Sequence, residues 1–353
     1  MKILYCGIKH DYSDRLRGFS FEHSNFYNTL IEMNSKSNYV DYVCVDELMQ
    51  EYGKEFLNNK IYELVKKNTY DLVFFFLFKD EYDYNLLKFI KNELSIPTVA
   101  WMSDDHWRFD SYSKKMAKYF TLVVTTDKDS LSKYHKNNIN NVFHSQWGFN
   151  NFLFKKNKIE KHIYDVSFIG ISYGERKNII NFLIKNNLFI NCWGYGWEKG
   201  RIEQDEMYNI FSKSIINLNF SLGSDQLNLK KFLKIFLNKN NNNKINFNNI
   251  KDIIINAKHF LKKTSSQIKA RVFEVTGCGG FLLTEYAPYL DQYFDIKNEI
   301  SIFYDKKDLK DKINFFLKNS NQSKIIANNG HLRTIKDHTY EKRFNEIFNY
   351  LFR

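Results

Sequence analysis

Four cysteines are spread through 353 residues, Cys6, Cys44, Cys192 and Cys278, and no two form a CxxC pair. That excludes a disulfide framework and a zinc module, both of which need thiols at short recurring spacing. Each lies in an apolar or glycine-rich segment, where a free thiol behaves as a small buried group. There is no run of about 18 apolar residues, so a membrane-crossing helix is not expected. The first apolar run, Ile3 to Ile8, is too short for the core of a signal peptide and lacks a small-residue cleavage site. A reducing, cytoplasmic location is therefore the expectation. Proline is nearly missing, with 2 residues against 33 Phe and 23 Tyr. With the Asn and Lys excess, this reads as compositional drift of the kind an AT-rich genome produces, and it carries no function.

The length suits two domains, each able to bury a core. Hydrophobic residues at 43% and charged residues at 26% are globular values and exclude disorder of the whole chain. The formal charge of +12 is concentrated, because Ser224 to Ala270 holds ten Lys against two Asp. A helix-turn-helix, KH or RRM signature is missing, so nucleic acid is not an expected partner. Within the basic stretch, Leu229, Phe232, Leu233, Phe236 and Leu237 fall on one helical face with Lys230, Lys231 and Lys234 away from it. Such a helix can cover its own domain, or it can lie peripherally on the anionic inner face of the cell membrane through the 224–270 segment. The run Asn238 to Asn249 reads as a surface insertion.

Short β-branched and aromatic runs alternate with stretches of helical period, the signature of βα units around a parallel sheet. Strands are expected at Lys2–Ile8, Tyr39–Val45, Tyr70–Leu77, Pro97–Met102, Leu122–Thr125 and Asn141–Ser145. A second series is expected at Val166–Ile169, Phe189–Trp193, Ile215–Phe220, Gly280–Leu283 and Ile300–Phe303. Helices are expected at Phe21–Met33, Glu47–Lys67, Tyr82–Glu93 and Lys128–Lys136. The polar, aperiodic segment Asn150 to Lys161 separates the two series. The domains are thus expected at 1–154 and 155–353, the second with a basic, Asn-rich insertion near 224–262. The C-terminal helix is expected to pack back on the first domain.

Only 14 glycines are present, so their clustering is informative. Gly170 and Gly174, Gly194 and Gly196, and Gly277, Gly279 and Gly280 stand at the ends of second-domain elements, where backbone can approach a nucleotide or phosphate. Ordinary βα turns are the plainer reading. Asp104, Asp105, His106 and Arg108 follow directly on a first-domain strand, where a carboxylate or imidazole can act as general base or steady positive charge on a sugar. Asp104 or Asp105 can equally cap the next helix. Arg15, Arg17, Gly18, Glu22 and His23 follow the first strand in a polar loop that can contact a sugar. Trp147 and Asn150 lie at the expected hinge.

The stretch QIKARVFEVTGCGGFLLTEYAPYLDQYF from Gln267 resembles the C-terminal module of bacterial CgeB-like glycosyltransferases, within the glycosyltransferase family 1/4 group of GT-B fold. RGFSFEHSNFY from Arg17, WMSDDHWRFDSYS from Trp101, SQWGFN from Ser145 and VSFIG from Val166 are similar to the N-terminal and hinge patterns of that group. The resemblance implies two Rossmann-like parallel-sheet domains facing a central cleft, the acceptor on the first and a nucleoside-diphosphate sugar on the second. It implies a metal-independent hexosyltransferase-type enzyme of polysaccharide biosynthesis, with no tightly bound cofactor and with UDP, GDP or dTDP as carrier. The acceptor is a hydroxyl of a glycan, a lipid-linked saccharide or a protein.

By that resemblance Glu274 holds the ribose, in a segment that includes Thr276 and Gly277. On residue chemistry, Lys269 and Arg271 can offset diphosphate charge, the amides from Gly170 and Ser172 with Arg176 can meet the donor phosphates where a strand runs into a helix, and Gly194 can supply a turn near the base. Asp104 to Arg108 act at the reacting carbon or the acceptor. The second glutamate of related families, eight residues before Glu274, is replaced by Ser266. On residue chemistry alone, Arg271 and Glu274 can instead form a solvated i,i+3 pair. Two other functions fit the same fold: a nucleotide-sugar epimerase, and a non-catalytic surface-polysaccharide or spore-coat assembly protein.

Overall fold

The computed structural model describes residues 1–34, 39–78, 80–154, 162–172, 174–221, 236–239, 245–250, 253–254, 257 and 266–353. Every expected strand is present, with ends displaced by at most two residues. Residues 222–235, which hold most of the expected basic helix, lie outside the described residues, as does Tyr173. The chain forms two compact units, Met1–Phe152 with Thr339–Arg353, and Leu153–His338.

In the first unit, β1 (Ile3–Gly7), β2 (Val40–Cys44), β3 (Leu72–Phe76), β4 (Thr98–Met102), β5 (Leu122–Thr125) and β6 (Val142–His144) form one parallel sheet in the order β2-β1-β3-β4-β5-β6. Strand β3, LVFFF, is buried at every residue, as a central strand covered on both faces must be. Alternation sorts its side chains. Val73 and Phe75 pack with Leu4, Cys6, Ala100 and Val123 against Leu57 and Ile61 of α2 (Val45–Lys67). Leu72, Phe74 and Phe76 pack with Ile3, Tyr5, Val99 and Trp101 on the opposite face. That face is closed by α1 (Asn28–Asn34), by the wide π turn His23–Tyr27 before it, and by the last helix, Tyr340–Leu351. Phe26 is the knot, with ring centroids 4.7 Å from Trp101, 5.2 Å from Tyr340 and 5.4 Å from Phe344.

The remaining first-unit helices are α3 (Tyr84–Lys88), α4 (Asp105–Arg108), α5 (Lys114–Met116) and α6 (Lys128–Lys136).

In the second unit, β7 (Tyr164–Ile169), β8 (Asn191–Trp193), β9 (Ser214–Asn219), β12 (Leu282–Glu285) and β13 (Ser301–Phe303) form a parallel sheet in the order β13-β12-β9-β7-β8. β10 (Leu237–Lys239) and β11 (Ile245–Phe247) make a separate antiparallel pair. The helices are α7 (Glu175–Lys185), α8 (Gln204–Ser212), α9 (Ala270–Gly277), α10 (Lys306–Lys318) and α11 (Ser320–Asp337), and the first unit's closing helix is α12 (Tyr340–Leu351).

The two faces of this sheet differ in kind. Val166, Phe168, Ile216, Leu218, Phe220 and Leu283 meet Ile180 and Leu183 of α7 and Leu309 and Ile313 of α10. On the other face, Ser167, Asn217, Asn219 and Thr284 are buried and bonded to one another or to backbone. Ser167 Oγ donates to Asn217 Oδ1 at 2.8 Å, Asn217 Nδ2 donates to Phe211 O at 3.0 Å, and Asn219 Nδ2 donates to Thr284 Oγ1 at 2.8 Å. Gly280 makes this layer fit, since a Cβ there would stand 2.7 Å from both Asn217 Nδ2 and Phe211 O.

Phe344 is wholly buried on the face α12 covers. Phe344→Ala should cost about 3–5 kcal/mol, to be read as a lower urea midpoint at unchanged slope. A loss under 1 kcal/mol would show that α12 does not hold that face closed.

Candidate functional site

Both sheets reverse their winding beside their first strand, in the order 2-1-3-4-5, extended by a sixth strand in the first unit. In open α/β sheets such a reversal is where ligands bind, outside the carboxyl ends of the adjoining strands, here β1 and β3 in one unit and β7 and β9 in the other.

In the second unit the loop after β7, Gly170 to Ser172, stands at that end of the sheet beside the loop after β8, Gly194 to Gly200. The loops are laced together: Gly170 N–H donates to Trp193 O at 2.9 Å, Ser172 N–H to Tyr195 O at 2.8 Å, and Trp197 Nε1 to Gly170 O at 2.8 Å. Gly194 has φ +122, and a Cβ there would run into the Gly170 carbonyl. Its glycine is required by loop meeting loop, and the Trp197 indole is the pin. Ser172 Oγ is buried without a hydrogen-bond partner. Arg176, half-buried, is the second residue of α7, whose first-turn amides favour an anion.

Across the switch point, the polar row of β9 runs on to Ser221. Its N–H and hydroxyl lie 2.9 and 3.1 Å from Glu285 Oε2, and the hydroxyl is 2.5 Å from Ser266 Oγ and 2.9 Å from Tyr286 O. Ser266 therefore reaches a carboxylate through Ser221, and that carboxylate is Glu285 at the end of β12. Sequence reading missed Ser221 and Glu285. The available signal was the alternation Asn217, Asn219, Ser221, polar on one face of an otherwise apolar strand.

On α9, Arg271 Nη1 is 2.7 Å from Glu274 Oε2. This is an i,i+3 pair, but not a solvated one, since Glu274 is 2% exposed. Arg271 also touches Met207 Sδ and sits 5.2 Å from the Phe211 ring centre. Burial pushes the Glu274 carboxyl up and Arg271 opposes it, while Oε1 is left without a hydrogen-bond partner. Lys269 is the residue before the helix. Thr276 is wholly buried, its hydroxyl 2.8 Å from Val272 O and 2.7 Å from Thr334 Oγ1, and Gly277 O accepts from His331 Nδ1 at 2.8 Å. Those two positions hold α9 to α11. Thus Arg271 and Glu274 come together on α9, and Gly170, Ser172 and Gly194 come together across the loops.

In the first unit, the chain after β1 makes a lobe closed by His10 and Phe19 as bridge partners, with Ser20 N–H donating to Lys9 O at 2.8 Å. Asp46 in the first turn of α2 holds its base, accepting from Lys9 N–H at 2.7 Å and His10 N–H at 2.9 Å. Glu47 takes His10 Nε2 at 3.1 Å, and Arg15 reaches Glu51 at 2.6 Å. Ser20, buried, donates to Ile8 O at 2.8 Å and accepts from His23 N–H at 3.0 Å, fixing the helix start beside the end of β1.

The four residues after β4 do not act as one group. Asp104 is half-buried, and its carbonyl starts α4 by accepting from Arg108 N–H at 2.9 Å. His106 and Arg108 are half-buried, and the Arg108 guanidinium lies 4.3 Å from the Tyr112 ring centre. Asp105 points the other way. It is wholly buried, accepts from Tyr134 O–H at 2.8 Å, and burial lifts its carboxyl to about 6. At the expected hinge, Trp147 packs edge-on to Phe21 at 5.4 Å, and Asn150 Nδ2 donates to Ser24 O at 3.0 Å.

Residues 236–349, about a third of the chain, match a family described as glycosyl transferase-like. The matched stretch includes α9, β12 and Glu285. The structure resembles Anabaena HepE in complex with UDP, at 11% identity and TM-score 0.57 over 99% of both chains. It also resembles sucrose-phosphate synthase from Thermosynechococcus elongatus, at 8% identity and TM-score 0.61 over 100% of this chain and 99% of the other. HepE has been crystallised with UDP-glucose as well. Among curated proteins, the chain is 24% identical over 97% of its length to Protein Ycf2 of Physcomitrium patens, and it spans 15% of that protein. The fold is that of GT-B glycosyltransferases, two Rossmann-like parallel-sheet units.

Asp105 generates a prediction. Its acid form is favoured in the folded state, so its contribution to stability is complete below pH 4 and is lost as pH rises through 6. Asp105→Asn removes that dependence. The stability difference between variant and wild type, from urea titrations at pH 4 and pH 8, should change by about 2–3 kcal/mol in the variant's favour. A constant difference would refute the assignment.

Proposed function

We propose that the protein is a CgeB-like glycosyltransferase that moves a hexosyl group from a nucleoside-diphosphate sugar to a hydroxyl of a glycan, lipid-linked saccharide or protein. The observation that carries this reading is the pairing, at one sheet's switch point, of the Gly170–Ser172 loop and α7 N-terminus with the Ser221–Glu285 group, within the unit that holds most of the glycosyl transferase-like match. The chemistry suits the parts. The α7 amides and Arg176 neutralise a leaving diphosphate without a metal, in the manner of an anion at a helix N-terminus. Arg271, oriented by the buried Glu274, adds a planar fork of donors. Carboxylate and hydroxyl at Glu285 and Ser221 suit ribose or sugar hydroxyls. A uridine diphosphate carrier is the first to test, since HepE binds UDP. We assign the acceptor to the first unit, where Asp104, His106 and Arg108 stand half-buried after β4.

Thermal unfolding with UDP, GDP, dTDP, ADP and CDP, without metal, tests the donor site. A nucleotide at 100 times its Kd adds about 2.7 kcal/mol. Arg176→Ala should weaken binding about tenfold to a hundredfold, the worth of one charged hydrogen bond, while the unliganded melting temperature holds. No shift with any of the five nucleotides would refute the donor reading. Turnover of donor alone to a new nucleotide sugar would replace it with epimerisation.

A further inference from the structure

The helical layer of the first unit carries a hollow that neither switch point uses. It lies between the second half of α2 and α3 with the π turn Phe89–Glu93 that continues α3, and its volume is about 570 Å³. That is within the roughly 300–1,000 Å³ of small-molecule sites. Glu93, on its rim, shortly precedes β4, so the hollow reaches toward the amino ends of the strands, away from the carboxyl ends. Its apolar surface is made of rings. Tyr62 and Phe89 have ring centres 4.8 Å apart, and Tyr84, 44% exposed, stacks on Tyr119 at 4.6 Å and 15°. Its polar surface is amide and carboxylate, with Asn59, Asn85 and Glu93 exposed. Asn58 is buried and ties the two walls together: it donates to Lys54 O at 2.8 Å and to Glu81 O at 2.9 Å, and accepts from Asp83 N–H at 2.8 Å. Lys54 also holds the Asp83 carboxylate at 3.2 Å. The walls are thus fixed before anything enters.

The Tyr84–Tyr119 stack joins this hollow to a second one of about 210 Å³, where Lys88, Lys91, Asn92 and Lys118 surround Tyr119. The Lys118 and Lys88 ammonium groups lie 5.0 and 5.9 Å from the Tyr119 ring centre. Lys91 Nζ is anchored by Lys118 O at 3.1 Å and Phe120 O at 2.8 Å. Among the described residues no carboxylate lines this second hollow, so it suits an anion. The larger one, with Asp83 and Glu93 in its lining, repels an anion and suits hydroxyls, which amides and carboxylates bond while rings take the apolar face of a pyranose. We propose that the two hollows form one binding site for an anionic oligosaccharide, with sugar rings against Tyr62, Tyr84 and Phe89 and its carboxylate or phosphate among Lys88, Lys91 and Lys118. This goes beyond the transferase reading and does not depend on it, because no residue assigned to the donor or acceptor takes part.

The test is binding of the full chain to an array of defined oligosaccharides, neutral, uronate-bearing and phosphate-bearing, followed by titration of the best member and of inorganic phosphate. Wild type should take anionic members over neutral ones of the same backbone, with an affinity that falls as salt rises, and the preferred class tells carboxylate from phosphate. Tyr84→Ala and Asn59→Ala, both at exposed positions, should each weaken binding about tenfold at unchanged melting temperature. Lys88→Glu with Lys118→Glu should abolish the preference for anionic members and keep the affinity for neutral ones. Three results would each overturn the proposal: no array member binds wild type, phosphate alone binds as tightly as the best oligosaccharide, or all these variants bind within twofold of wild type. Tighter binding of a single-stranded RNA than of any saccharide would overturn it as well. A wild type that binds oligosaccharide but no nucleotide keeps this site and loses the transferase reading, so the two failures are told apart.

Discussion

The hydrogen-bonded row on β9 is the constraint around which the second unit is arranged. A strand inside a parallel sheet ordinarily buries apolar side chains on both faces, and β9 does so on one only. On the other, Asn217 and Asn219 are out of contact with water and must find partners, because an unpaired buried amide costs about 1–3 kcal/mol. Those partners dictate the neighbourhood. Phe211 presents a carbonyl from α8, Ser167 and Thr284 stand on the flanking strands, and Gly280 gives up its side chain to let backbone come near. Where the row reaches the carboxyl end of the sheet, the same habit of pairing produces Ser221, Ser266 and Glu285 as one group. The polar groups of the candidate donor site thus continue an interior network already locked in place, which is how a site keeps its geometry before a ligand arrives.

The first unit solves the same problem differently. Both faces of its sheet pack in apolar clusters, and the polar groups of its lobe and helix start lie beyond the strand ends, positioned from outside by Asp46 and by Ser20. Two of its carboxyls are lifted by burial, Asp105 and Glu22. Asp105 is turned into the core and bonded to Tyr134, so its shifted proton affinity appears in folding. Glu22, at the helix start after the lobe, is lifted by burial first and then by the charges of Asp11 and Asp104.

Much of this was legible in the residues. The strands could be read because each is a short run of β-branched or aromatic residues, and Leu72 to Phe76 could be read as central because nothing in it is polar. The partners of those runs could not. Nothing local to WMSDDHWRF says that the second Asp turns inward, since its direction depends on Tyr134, 29 residues later and on α6. Arg271 and Glu274 could be recognised as an i,i+3 pair, but their burial depends on α8, whose Met207 and Phe211 cover them. Ser221 and Glu285 were obscured because they are 64 positions apart and meet only when β9 and β12 pair. The glycines could be read as ordinary turns or as ligand approaches, and no local signal says that a Cβ at Gly194 would run into the Gly170 carbonyl of another loop.

The last helix belongs to the first unit, and this has a consequence for synthesis. The aromatic face around Phe26 and Trp101 is made within the first 152 residues, yet its cover, α12, begins at Tyr340. At about 5–20 residues per second, the ribosome leaves that face open for roughly ten to forty seconds while the whole second unit emerges. The first unit is therefore the last to be completed, and a chain that stops short of Tyr340 leaves an uncovered apolar surface, the kind of species that chaperones hold and proteases clear. Synthesis as far as α12 is in effect checked by the fold itself.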